Sequence, residues 1–201
     1  MIKIILAEDQ VMVSGALVAL LKLEGDIDVL GQAKNGKEAL ELCKQLQPDV
    51  VVTDIEMPIM TGLELAAEIA HLKLPSKVIV LTTFARAGFL KRAMASGVRG
   101  YMLKDAPAED LAKAIRTVQG GGKAIAPELA MESWGGPQDP LSERERQVLR
   151  LAGTGSTSNE ISKIMHLSEG TVRNYLSEAI SKLNAKNRVE AFRMARDEGW
   201  L

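Results

Sequence analysis

Short runs of β-branched and other apolar residues alternate with amphipathic stretches from residue 2 to residue 118, and this alternation restricts the chain's fold more than anything else in it. The apolar runs cover 2–7, 29–31, 50–54, 77–81 and 100–103; the amphipathic stretches cover 10–23, 35–46, 62–72, 88–95 and 107–118. Strands apolar on both sides need cover on both faces, and helices between them provide it. The pattern predicts an α/β domain, a five-stranded, doubly wound parallel sheet with five helices that ends near Gln119. Gly120-Gly121-Gly122 and Gly135-Gly136-Pro137 then bracket a stretch with no sustained period, read as a linker over 120–140. From 141 to 201 the pattern is helical only. Two capping boxes, Ser142 with Glu145 and Thr157 with Glu160, mark helix starts, and short helices are expected over 142–151, 158–165, 169–183 and 188–198. Four such helices enclose no deep pocket, so a small all-α binding module is expected there.

A chain of 201 residues has room for these two domains and excludes a large multidomain enzyme. Its 25 basic and 26 acidic side chains balance to −1, so nucleic-acid binding has to come from a local patch and not from the field of the whole protein. The single cysteine, Cys43, excludes an internal disulfide and a thiolate zinc site, and within a helix it reads as a small core residue. His71 and His166 belong to no ligand cluster and read as a surface and a turn residue. No apolar stretch approaches the roughly 18 residues of a membrane span, and nothing resembles a signal peptide, so a cytoplasmic protein without direct membrane contact is expected.

Strands of a parallel sheet deliver their last residues to one edge, where the loops form a crevice. Here the first run leads into Glu8-Asp9, the third ends in Asp54, the fourth leads into Thr82 and the fifth into Lys104. Taken singly, each reads as well as a solvated loop residue. Four of them, on four strands in the order such a sheet requires, do not. Clustered carboxylates repel unless a cation joins them, and an oxygen-only cluster with open positions suits Mg²⁺. The natural chemistry is phosphoryl acceptance. Asp54 would attack phosphorus, magnesium would neutralise developing charge, Lys104 would pair with a phosphoryl oxygen and Thr82 would hydrogen-bond another.

Together, Ala7-Glu8-Asp9, Asp54-Ile55-Glu56-Met57-Pro58 followed by Gly62, Leu81-Thr82-Thr83 and Gly100-Tyr101-Met102-Leu103-Lys104 resemble the receiver domain of the NarL/FixJ family of two-component response regulators, where it is joined to a LuxR-type helix-turn-helix. The likeness spans nearly the whole chain. It implies that Glu8, Asp9 and Asp54 bind Mg²⁺ together with the backbone carbonyl of Glu56, and that a membrane-bound sensor histidine kinase phosphorylates Asp54. It also implies that Thr82 and Tyr101 form a switch pair, the threonine moving toward the phosphoryl group while the ring turns inward. Two positions depart from the family pattern. Asp105 stands where many receivers have proline, and Thr83 where a smaller residue is common. A cis Lys104–Asp105 bond without proline would cost about 3–4 kcal/mol, so this loop either differs or is held under strain.

Over 169–183, Val172, Tyr175, Leu176, Ala179, Ile180 and Leu183 recur with a helical period and mark a core face. The opposite face carries Arg173, Asn174, Ser177 and Ser181, side chains able to donate to base edges in a major groove. A solvated polar face would look the same; the short helix before it and the turn His166-Leu167-Ser168 supply the helix-turn-helix context. From 163 to 196, seven basic residues outnumber three acidic ones. By resemblance, Arg173, Asn174 and Ser177 occupy base-facing positions, and Thr171, Lys182 and Lys186 lie near phosphates of double-stranded DNA. Ser177 stands where relatives often carry a basic residue.

The stretch 10–23 is apolar almost all round. Val13, Ala16, Leu17, Leu20 and Leu21 read as its core stripe, which leaves Val11, Gly15, Val18 and Ala19 as a second stripe that a monomer would leave wet. The last receiver helix offers Ala108, Ala112 and Ala114 beyond its core residues Leu111, Ile115 and Val118. A homodimer through these two helices, strengthened by phosphorylation, is expected. The whole reads as a phosphorylation-controlled transcription factor. A Mg²⁺-dependent aspartyl phosphatase, with Glu56 as its acid, would leave the helix-turn-helix unexplained; a phosphate-independent interaction module would bind neither Mg²⁺ nor an acyl phosphate.

Overall fold

The computed structural model describes residues 1–83, 87–127 and 139–201, the side chains of 87–89 and 91 excepted. The chain divides into two compact units. The first runs β1 (Ile2–Ala7), α1 (Val11–Lys22), β2 (Ile27–Ala33), α2 (Gly36–Leu46), β3 (Val50–Asp54), α3 (Gly62–His71), β4 (Lys77–Thr82), α4 (Ala87–Ala95), β5 (Gly100–Leu103), α5 (Ala108–Gln119) and β6 (Ala124–Ile125). The strands are parallel in the order β2-β1-β3-β4-β5-β6. Alternate side chains leave the pleat on opposite sides. Ile4, Leu6, Val50, Val52, Ile79 and Leu81 meet Leu21 of α1 and Leu111, Ile115 and Val118 of α5. Ile5, Val51 and Val80 are equally buried on the face covered by α2 and α3.

The sheet has six strands where five were expected. Ala124 N–H donates to Arg99 O (2.9 Å) and Ala126 N–H to Tyr101 O (3.0 Å), so the chain after α5 pairs with the edge of β5 before the connection to the second unit begins. The expected linker therefore starts too early at 120; its Gly135-Gly136-Pro137 portion lies outside the described residues.

α1 is rotated from its expected setting. Ser14, Val18 and Leu21 are buried, Leu17 packs beside them, and Val11, Met12, Gly15, Ala16, Ala19 and Leu20 face solvent. Val18, expected on the open stripe, is 8% exposed; Ala16 and Leu20, expected in the core, are exposed. Ser14 can be buried because its hydroxyl donates to Gln32 Oε1 at 3.0 Å. On α5, Ala112 and Ala114 are buried beneath the helix, so Ala114 does not belong to an open face. Cys43 is a core residue as expected, and burial pushes its thiol up to about 12. His71 and His166 are exposed.

The second unit consists of α6 (Glu143–Gly153), α7 (Ser158–Met165), α8 (Glu169–Lys182) and α9 (Arg188–Asp197). Both expected capping boxes are present, at Ser142 with Glu145 and at Thr157 with Glu160. Val148, Leu149, Ile161, Val172, Leu176, Ala179 and Ala191 form one core, closed by Trp200 and Leu201. Gly153 lets α9 approach, since a Cβ there would fall 2.1 Å from the Phe192 ring. Among the described residues no helix is long and apolar enough to cross a membrane.

Candidate functional site

The strand order reverses direction between β1 and β3, and a doubly wound sheet opens its crevice at the carboxyl ends of such a pair. Glu8 and Asp9 follow β1 there and Asp54 ends β3; carboxylate oxygens of the three lie within 4.8 Å of one another. Asp9 is the most accessible of them. Lys104, just past β5, places Nζ 2.7 Å from Glu8 Oε2 and 2.7 Å from Asp54 Oδ2. Ile55 N–H donates to Asp54 Oδ1 at 2.7 Å, and Gln10 N–H to Glu8 Oε1 at 3.2 Å. The pairing of Lys104 with Glu8 was not anticipated, since nothing local in the sequence links the two.

Burial pushes the Asp54 carboxyl above its usual range, more strongly than Lys104 and the Ile55 amide pull it back. Glu8 is raised for the same reason, and neighbouring Asp54 adds to it. Burial works against the Lys104 ammonium, yet its hydrogen bonds to Asp54 and Glu8 hold it above its ordinary value. Three carboxylates thus face one ammonium, and the remaining negative charge is gathered on oxygen atoms alone, which suits a hard divalent cation.

The β3–α3 loop is shaped around this centre. Gly62 N–H returns to Ile55 O (3.0 Å), and a Cβ on Gly62 would lie 1.9 Å from Asp54 O, so only glycine lets α3 start this close to the acceptor strand. Thr61 caps α3 through a capping box with Glu64. Glu56, two positions after Asp54, is exposed. Thr82 is buried at the end of β4, and its carbonyl accepts from Lys104 N–H at 2.8 Å. No cis peptide occurs among the described residues, so the Lys104–Asp105 bond is trans and the lysine still reaches Asp54. Tyr101 is already wholly buried, so a switch that carries its ring from solvent to core has to start from another conformation.

On α8, Arg173, Asn174, Ser177 and Ser181 are exposed opposite the buried Val172, Leu176 and Ala179. Ser168 caps the helix, accepting from Thr171 N–H (3.0 Å) and sharing a 2.8 Å hydrogen bond with the Thr171 hydroxyl. Arg173 lies 3.6 Å from Glu169, one turn back. Lys186 is exposed beyond the end of the helix. Lys182 is engaged within the fold, with Nζ 2.7 and 2.9 Å from the two oxygens of Glu145. Burial works against the Glu145 carboxylate, yet Lys182 and Ser142 hold it below its usual range. This tie escaped the sequence reading because Glu145 already had a local role as the third residue of a capping box.

Residues 4–116 match the model of the response regulator receiver domain, and residues 139–195 that of the bacterial regulatory proteins of the luxR family. The transcriptional regulatory protein YvfU of Bacillus subtilis is 50% identical over 201 residues, covering 100% of both chains. DesR of the same organism, also a transcriptional regulatory protein, is 48% identical over 201 residues and again 100% of both. Among solved structures, the response regulator ChrA of a heme-sensing two-component system is 32% identical, covers 100% of this chain and 98% of its own, and superposes with a TM-score of 0.59. The chain belongs to the NarL/FixJ family of response regulators, transcriptional regulators that join a receiver domain to a LuxR-type DNA-binding domain.

Proposed function

We propose that Asp54 is the phosphoacceptor through which a sensor histidine kinase controls DNA binding by α8. The observation that carries this reading is the convergence of Glu8, Asp9, Asp54 and Lys104 at one strand edge. An Asp54 oxygen attacks the phosphorus of a phosphohistidine; the N–P bond breaks, its electron pair stays on the imidazole, and that nitrogen takes up a proton. The Lys104 ammonium then has a phosphoryl oxygen to pair with in place of the carboxylate oxygen it now holds. Glu8, Asp9, Asp54 and the backbone carbonyl of Glu56 would hold Mg²⁺, which supplies charge neutralisation during transfer. Thr82, buried at the adjacent strand end, is within the same edge to receive the new anion, and Tyr101 behind it completes the switch pair.

The output is double-stranded DNA, read by Arg173, Asn174 and Ser177, with Thr171 and Lys186 toward phosphates. DNA reading puts the protein's work in the cytoplasm, and the kinase brings the membrane signal to it. The intermediate step is a homodimer through the exposed α1 surface of Val11, Met12, Gly15, Ala16 and Ala19, an apolar area that a second copy would cover. A division into receiver, linker and DNA-binding parts at 1–119, 120–140 and 141–201 serves this reading once β6 is counted with the receiver. Intact-mass measurement after incubation with Mg²⁺ and a small phosphodonor tests it: wild type should gain one acid-labile phosphoryl group and Asp54→Asn none. Equal labelling of the variant would move the acceptor elsewhere.

A further inference from the structure

The carboxylate of Glu145 is 1% exposed on its side chain and joins two helix ends. It accepts from Ser142 N–H at 2.5 Å at the start of α6, and from Lys182 Nζ at the last residue of α8. Lys182 stands nine residues after Arg173, roughly 13 Å further along the helix axis at 1.5 Å per residue. The base-facing turn at the front of α8 is therefore held at the far end of the same rigid rod. The Lys182 side chain is 41% exposed, but its ammonium is turned onto Glu145; swinging it away to a DNA phosphate would strand a buried carboxylate, a heavier loss than an exposed phosphate contact returns.

We propose that Lys182 is a positioning residue for α8, which sets the tilt of the recognition helix by clamping its C-terminal end to Glu145, and that it contributes no phosphate contact. This rests on α8 being the helix that enters DNA. Lys186, four residues beyond the end of the helix, is exposed and offers a cation to the backbone at this end.

The test uses the full chain, phosphorylated from a small donor, titrated over several salt concentrations. One probe is a duplex that wild type selects from a random pool; the other is a random-sequence duplex. Lys182→Gln should lower the ratio of selected to random affinity roughly tenfold, with the salt slope on random DNA unchanged. Lys182→Arg keeps a cation within reach of Glu145 and should restore the ratio. Glu145→Gln keeps the capping acceptor and changes a buried side chain; it should reproduce the loss, and the double variant should be no worse than either single one. Circular dichroism at the titration temperature establishes folding, and if Lys182→Gln is unfolded, Glu145→Gln decides. A salt slope flattened by about one unit in Lys182→Gln, or a wild-type ratio in Glu145→Gln, overturns the proposal. Arg173→Ala, run alongside, tests the underlying reading separately: equal losses on both duplexes would remove α8 from the groove whatever Lys182 does.

Discussion

Lys104 Nζ stands 2.7 Å from Asp54 Oδ2, so the proposed acceptor is held in place by the cation that would meet its phosphoryl group. The same ammonium reaches Glu8, and one charge therefore ties together the ends of β1, β3 and β5. Phosphorylation of Asp54, as proposed, would rearrange these pairs, and the charges they hold give the centre a measurable signature in stability.

Because burial outweighs the pull of Lys104, folding raises the pKa of Asp54 above its ordinary 3.8. Between the unfolded and folded values the folded state holds more protons, so stability falls as pH rises through that window and the penalty is complete above it. Asp54→Asn removes the charge and keeps the shape, and Lys104 retains Glu8. Thermal unfolding should show the variant more stable than wild type near neutral pH, the gap closing as pH approaches the ordinary aspartate range. A variant less stable at neutral pH would contradict the burial argument.

Magnesium should act on the same charge. At ten times its dissociation constant, Mg²⁺ should stabilise wild type by about 1.4 kcal/mol, read as a rise in Tm. Asp9→Asn removes the most accessible of the three carboxylates and should abolish most of that rise; an undiminished rise would place the ion elsewhere.

Gly62→Ala puts a methyl group where Asp54 O already lies, 1.9 Å from the new Cβ. Urea unfolding should report a loss of about 1–3 kcal/mol, with slower phosphoryl uptake because the Asp54 backbone has to shift. Wild-type stability would mean that the loop gives way more cheaply than its short Gly62 to Ile55 return suggests.

For the dimer, exposure separates two glutamate substitutions. Ala19→Glu lies on the open side of α1 and should keep stability within about 0.5 kcal/mol while opposing phosphorylation-dependent dimerisation, measured by light scattering. Val18→Glu buries a charge against the sheet and should unfold the receiver. Full dimerisation of phosphorylated Ala19→Glu would exclude this surface.

Much of the architecture is written locally. The strands announce themselves because runs such as Val50-Val51-Val52 are apolar on both faces, and the carboxylates and lysine follow because a parallel sheet sends its strand ends to one edge. The helix starts of the second unit are legible for the same kind of reason, since Ser142 and Thr157 each find their capping partner three residues away. Three features were decided only by packing. α1 is apolar nearly all round, so its period marks no outside; the burial of Val18 and of Ser14, through Gln32, depends on where β2 and α5 stand. β6 is two residues long, too short to show a period, and exists because β5 offered an unpaired edge. Lys182 meets Glu145 across 37 residues, and no local rule links a lysine at one helix end to a buried carboxylate at the start of another. Periodicity and capping act within a few residues and can be read along the chain, whereas the choice of buried face, edge partner and ion-pair partner is made between elements, after they have packed.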